Sequence, residues 1–170
     1  MIPTERIERL LEPAYTADLA GRDDDELREI KTQCTTAETT LSYYRRLAQG
    51  RIEILEAWRE NRRSGGTLES LIADLPWILA PPSARPGTAQ VRMTEAAPDV
   101  EPLDLGGRES LVVDDTLADL PSLDDATVAA RLDELKAFEH DVSELRAKLH
   151  GVLDGVEHEI ATRQAAGTIG

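Results

Sequence analysis

The chain has 170 residues, enough for one domain or a short assembly of elements. Hydrophobic residues make up 41% of it but aromatics only 4%, with a single Phe, which favours helix pairing over a thick α/β core. The formal net charge of −14 repels phosphate backbones, so it argues against a direct reader of DNA or RNA and leaves room for a basic protein partner.

Cys34 is the only cysteine, which excludes an internal disulfide and a cysteine-rich zinc site. Residues 1–22 form a lead-in with neither the apolar core of a signal peptide nor a membrane span, so the expectation is a cytoplasmic protein without membrane contact. Residues 23–64 then read as one long coiled-coil helix. Its apolar or small positions Leu27, Ile30, Cys34, Ala37, Leu41, Tyr44, Ala48, Leu55 and Trp58 form a heptad seam, interrupted where Arg51 falls. Asp23, Asp24 and Asp25 suit the positive end of a helix dipole, and "SGG" at 64–66 stops the helix.

Residues 65–79 predict a short amphipathic helix that Pro76 converts to extended chain, more in keeping with folding back on the coil than with docking on a partner. Residues 80–122 are rich in Pro, Gly and acidic side chains and read as a disordered linker, in which "SLVV" at 110–113 is a candidate docking element. Residues 123–164 are helical again, with the seam Val128, Leu135, Phe138, Val142, Leu145, Leu149, Val152 and Val156 and Arg131 as a charged intruder. A frayed tail, "RQAAGTIG", closes the chain. The expected fold is therefore all-α: an antiparallel two-helix coiled coil of duplicated long helices, with a short extra helix and a disordered linker. Pairing within one chain or between chains is open at this stage.

The duplication is visible in the polar positions. A shift of 101 takes Glu38 to Glu139, Ser42 to Ser143, Arg45 to Arg146, Gln49 to His150, Gly50 to Gly151 and Glu53 to Asp154. Apolar seams coincide at any multiple of seven, but surface positions have no such reason to match. In the first helix Glu38, Ser42, Arg45, Gln49 and Glu53 fall within roughly 80° of one another and cover about 22 Å, so they flank the seam as a stripe. In an antiparallel pair the two stripes converge on one side and line a polar groove with approximate twofold symmetry. Carboxylates that accept from guanine N1–H and N2–H₂, with arginines that meet O6 and N7 or phosphate, suit a guanine nucleotide. The same composition also describes a solvated coiled-coil flank; the matching second stripe weighs against that reading.

"ETTLSYYRRLAQGRIEIL" and "EHDVSELRAKLHGVLD" resemble the two signature helices of the RsiG family, actinobacterial anti-sigma factors that bind cyclic di-GMP. The family motif runs Glu, three residues, Ser, two, Arg, three, Gln, three, Asp, once in each helix. Here the copies are Glu38, Ser42, Arg45, Gln49, Glu53 and Glu139, Ser143, Arg146, His150, Asp154. "LLEPAYTADLAGRDDDELREI" is also similar to the family's lead-in. The resemblance implies that these ten residues bind a dimer of cyclic di-GMP as ligand, with no cofactor, and that the loaded protein keeps a sigma factor of the WhiG/FliA type from RNA polymerase. Glu53 in place of Asp and His150 in place of Gln depart from the motif and imply altered affinity.

Cys34 reads as packed in the seam, and His140 and His158 as exposed helix residues. No P-loop, nucleophile elbow, zincin motif or dinucleotide fingerprint occurs, so no enzyme is expected. The rival expectations are a coiled-coil adaptor without a ligand and a cyclic di-GMP effector acting on a different protein.

Overall fold

The computed structural model describes residues 2–80, 103–113, 117 and 119–167. Their helices are α1 (Thr4–Leu11), α2 (Pro13–Thr16), α3 (Asp24–Arg63), α4 (Leu68–Ile78), α5 (Ser110–Val113) and α6 (Asp125–Ala165), with one 3₁₀ turn at Leu120–Ser122. The only strands among the described residues are β1 (Ile2–Pro3) and β2 (Leu103–Asp104), a two-residue parallel pairing with Ile2 opposite Leu103. The fold is all-α, dominated by α3 and α6.

Local chemistry explains where the long helices begin and end. At the start of α3, Glu26 N–H donates to Asp23 Oδ1 at 2.8 Å, and Asp23 N–H donates back to Glu26 Oε2 at 3.0 Å. This reciprocal box satisfies two of the orphan donors of a helix N-terminus. Asp124 plays the same part for α6, accepting from Thr127 N–H at 2.7 Å, and that bond holds its carboxyl below the usual range. At the other end of α3, Gly65 takes a φ of +78°, which a Cβ would disfavour. Its N–H then reaches Arg62 O at 3.1 Å while Gly66 N–H reaches Asn61 O at 2.8 Å, the double closure of a Schellman motif.

The chain divides into two compact units: the described residues of 1–44, 99–109 and 141–170, and those of 45–98 and 110–140. Helices α3 and α6 each run through both. In the first unit Leu27, Ile30, Cys34, Ala37 and Leu41 of α3 are buried, as are Val142, Leu149 and Val156 of α6 and Ile7 and Leu10 of α1. Arg163 closes this unit. It donates to Asp24 Oδ1 at 2.7 Å, Glu159 Oε1 at 2.8 Å and the carbonyls of Leu19 and Ala20 at 3.2 and 3.1 Å. The tail expected to fray from this residue is thus helical to Ala165, because Arg163 is tied to the opposite helix and the loop before it; residues 168–170 lie outside the described ones. The second unit buries Ala48, Leu55 and Trp58 of α3, Val128, Leu132, Leu135 and Phe138 of α6, and Leu71, Val112 and Leu120.

The two helices run antiparallel, since their partners' numbers rise in one as they fall in the other. Asp24 meets Arg163 and Lys31 meets Glu157 in the first unit. Glu56 meets Lys136 and Arg62 meets Asp125 in the second.

Two expectations need correction. Helix α4 does not stop at Pro76 but continues to Ile78, and Leu79 N–H still closes on Leu75 O at 3.0 Å. So late in a helix, the ring deprives the ladder of one bond and leaves the next turn intact. Residues 103–113 of the expected linker also carry structure. Gly106 and Gly107, with φ of +67° and +84°, turn the chain after β2, and Arg108 meets Asp141 at 2.6 Å. The "SLVV" run then forms α5, with Val112 buried and its carbonyl accepting from Arg51 Nε at 3.0 Å. Arg51, an irregularity in the heptad, is thereby bonded to α5. Residues 81–102 of the expected linker lie outside the described residues.

Candidate functional site

Seven of the ten stripe residues gather into two clusters, one in each unit. In the first, Glu38 of α3 and Arg146 of α6 are the centre: Arg146 Nε donates to Glu38 Oε1 at 2.7 Å. Ser42 lies one turn along α3 from Glu38 and donates to the same oxygen at 2.8 Å. His150, one turn along α6 from Arg146, places Nε2 at 3.4 Å from it. Partial burial of Glu38 works against its charge, yet the bonds from Arg146 and Ser42 and the neighbouring positive charge outweigh this and hold the carboxyl below the usual range.

In the second cluster Glu139 of α6 takes the same role. Its Oε1 accepts from Arg45 Nε at 2.9 Å and from Gln49 Nε2 at 3.0 Å, both on α3. The correspondence is reciprocal. A shift of 101 turns Glu38 and Arg146 into Glu139 and Arg45, and His150 into Gln49. It also turns the end clamp Asp24–Arg163 into Asp125–Arg62.

Each arginine is held by Nε alone. Among the described residues neither Arg45 nor Arg146 makes another hydrogen bond, so the two terminal nitrogens of each guanidinium stay available as a fork. The side chains of Arg45 and Arg146 are about a third exposed, at 35% and 34%, so that fork can be reached from solvent. Glu38 and Glu139, at 21% and 23%, lie deeper. Ser143 is half-buried beside Val142 in the first unit. Glu53 and Asp154, the last members of the two stripes, are exposed and engage no partner among the described residues.

Sequence spacing thus located the stripes but missed their bonding. Spacing and antiparallel pairing set the two stripes side by side without specifying a bond between them, and the contacts cross between helices, from Arg45 to Glu139 and from Arg146 to Glu38. The 101-residue repeat with antiparallel pairing makes the two contacts equivalent, so that once Arg45 meets Glu139, Arg146 meets Glu38. The clamps of Arg62 and Arg163 were overlooked, although they obey the same shift.

These features define an all-α antiparallel helix pair that carries a duplicated Arg–Glu cluster. Among the described residues no group of His, Cys, Asp and Glu is arranged to hold a metal ion, and no helix is long and apolar enough to cross a membrane. A family model described as RsiG-like matches residues 13–79 and 114–169, most of the chain including the whole of α3 and α6, and the chain belongs to that family. Membership suggests an anti-sigma factor role, with a sigma factor as partner. No curated protein matches the chain.

Proposed function

We propose that this protein is an anti-sigma factor of the bacterial cytoplasm that binds two cyclic di-GMP molecules and, so loaded, withholds a sigma factor of the WhiG/FliA type from RNA polymerase. The observation that carries the reading is the pair of reciprocal clusters, each presenting an arginine fork pinned at Nε by a carboxylate of the opposite helix. A pinned fork loses little freedom on binding, and it matches guanine O6 and N7 or two phosphate oxygens bidentately.

In this mechanism Glu38 and Glu139 orient the arginines while remaining close enough to meet the ligand. Glu53 and Asp154, without a partner among the described residues, accept from the N1–H and N2–H₂ donors of guanine. Ser42, Ser143, Gln49 and His150 supply further hydrogen bonds to ribose, phosphate or base. The nucleotide undergoes no reaction; it is ligand and part of the surface offered to the sigma factor, so the protein acts without enzymatic turnover and without a cofactor.

The rival is a coiled-coil adaptor with no ligand, favoured by the fact that both glutamates are already satisfied within the protein. Calorimetric titration with cyclic di-GMP, using cyclic di-AMP as control, separates the two. The expected result is two nucleotides bound per chain and no response to the control. Absence of binding both by the protein alone and with a WhiG-type sigma factor present would leave the adaptor standing.

A further inference from the structure

Helix α4 carries eight apolar residues among its eleven, yet Leu71 is its one buried side chain. A helix apolar on nearly every face belongs inside a protein or against something else. The exposed large apolar side chains among the described residues are Ile72, Trp77, Leu79 and Val113, all in the second unit. Trp77 is 66% exposed and Ile72 54%. Ile72, Pro76 and Leu79 succeed one another at i, i+4 and i+7, so they form one stripe, while Trp77 lies about 140° around the helix from Ile72.

Charge decides what covers this face. The only charged residues of α4 are Glu69 and Asp74, both carboxylates and both exposed. By angle Glu69 falls inside the apolar arc between Ile72 and Trp77, and Asp74 just beyond Trp77. Thr67 bonds to Glu69 and lowers its carboxyl pKa, which keeps it ionised. A second copy of the chain would set these carboxylates against their own kind, with a net charge of −14 on each molecule. A helix with Lys or Arg among its apolar residues meets both the stripe and the carboxylates.

We propose that α4 is the docking face for a cationic amphipathic helix of the partner protein, seated on Ile72, Trp77 and Leu79 with its basic residues against Glu69 and Asp74. This adds a partner surface to the anti-sigma reading and rests on that reading only for which protein supplies the helix; it uses none of the ten cluster residues.

The chain has two tryptophans, and Trp58 is buried, so a change in emission on docking reports Trp77. The full-length protein is titrated with a designed peptide of Leu and Lys at helical spacing, and with its Leu/Glu counterpart. The Leu/Lys peptide shifts the emission to the blue and the Leu/Glu peptide does not; Trp77→Phe removes the shift. Ile72→Asp, an exposed position that leaves the far-ultraviolet circular dichroism unchanged, weakens binding about tenfold or more. Glu69→Gln with Asp74→Asn weakens it several-fold and flattens its salt dependence. No shift with either peptide, equal binding of both, or unchanged binding by Ile72→Asp overturns the proposal. A shift that grows with protein concentration alone, with dimers in the ultracentrifuge, overturns it in favour of a second copy. Cyclic di-GMP titration of the same Ile72→Asp protein keeps the two ideas apart: nucleotide binding unchanged beside lost peptide binding assigns the effect to α4, and peptide binding without any nucleotide binding refutes the nucleotide reading alone.

Discussion

The two clusters share a centre, and the side chain one turn along from each arginine differs. In the first, Glu38 accepts from Arg146 with the His150 imidazole nearby; in the second, Glu139 accepts from Arg45 with the Gln49 amide in the matching place. The shared part is a carboxylate that fixes an arginine from the other helix. The differing part is an imidazole set against an amide. Duplicated sites can therefore keep one geometry while diverging in a supporting group.

The largest way to break the comparison is through the seam beneath each cluster. Phe138 lies directly before Glu139 and is fully buried, so Phe138→Ala is expected to cost about 3–5 kcal/mol. Leu41→Ala, below the first cluster, is expected to cost about 2–5 kcal/mol. Urea unfolding measures both, and losses well under 1 kcal/mol would show that neither side chain is packed as described. Next come the forks. Arg45→Ala and Arg146→Ala should each weaken cyclic di-GMP binding by about 1–3 kcal/mol, the scale of a bidentate guanine contact. Calorimetry on the two variants tests whether the clusters contribute equally; an affinity untouched by either substitution removes that arginine from the site.

A smaller effect concerns acid stability. A carboxyl held below its unfolded value stabilises the fold above that value, and the contribution is lost as pH falls through the lowered one. For Glu38, whose ordinary value is 4.5, stability should decline as the solution is acidified below that point. Glu38→Gln should be less stable at neutral pH and show a shallower decline between about pH 5 and 3, read by urea unfolding across that range. An identical slope in the two proteins would mean that the Arg146 and Ser42 bonds do not favour the ionised form. The smallest effect should come from His150→Gln, which gives the first cluster the composition of the second. Calorimetry on this variant should give a cyclic di-GMP affinity within about threefold of the natural protein's, since an amide offers a donor and an acceptor where the imidazole stood. A loss of more than about tenfold would show that the imidazole makes a contact the amide does not replace.

Much of the architecture was legible in local pattern. All nine seam residues read in the first helix, from Leu27 to Trp58, are buried, because a step of three or four along a helix returns to one face whatever lies opposite. In the second helix Leu145 and Val152 are only half-buried, while Leu132, outside the expected seam, is buried. The Arg131 intruder pairs with Glu134 instead, on its own helix. The five positions of each stripe were equally readable, since the repeat copies residue types that no seam requires.

What the sequence determined by itself was periodic and local: two long helices, their capped starts and ends, and a polar stripe beside each seam. Backbone propensity and the spacing of apolar residues act within a few turns, so one dimension contains them. The tertiary structure alone decided which glutamate holds which arginine, that Arg51 binds the carbonyl of Val112, that Arg163 ties the end of α6 to Asp24, and that α4 leaves Trp77 in solvent. A heptad pattern is unchanged by a slide of seven residues, so it cannot select a register. That choice belongs to ion pairs and packed ends between segments roughly a hundred residues apart.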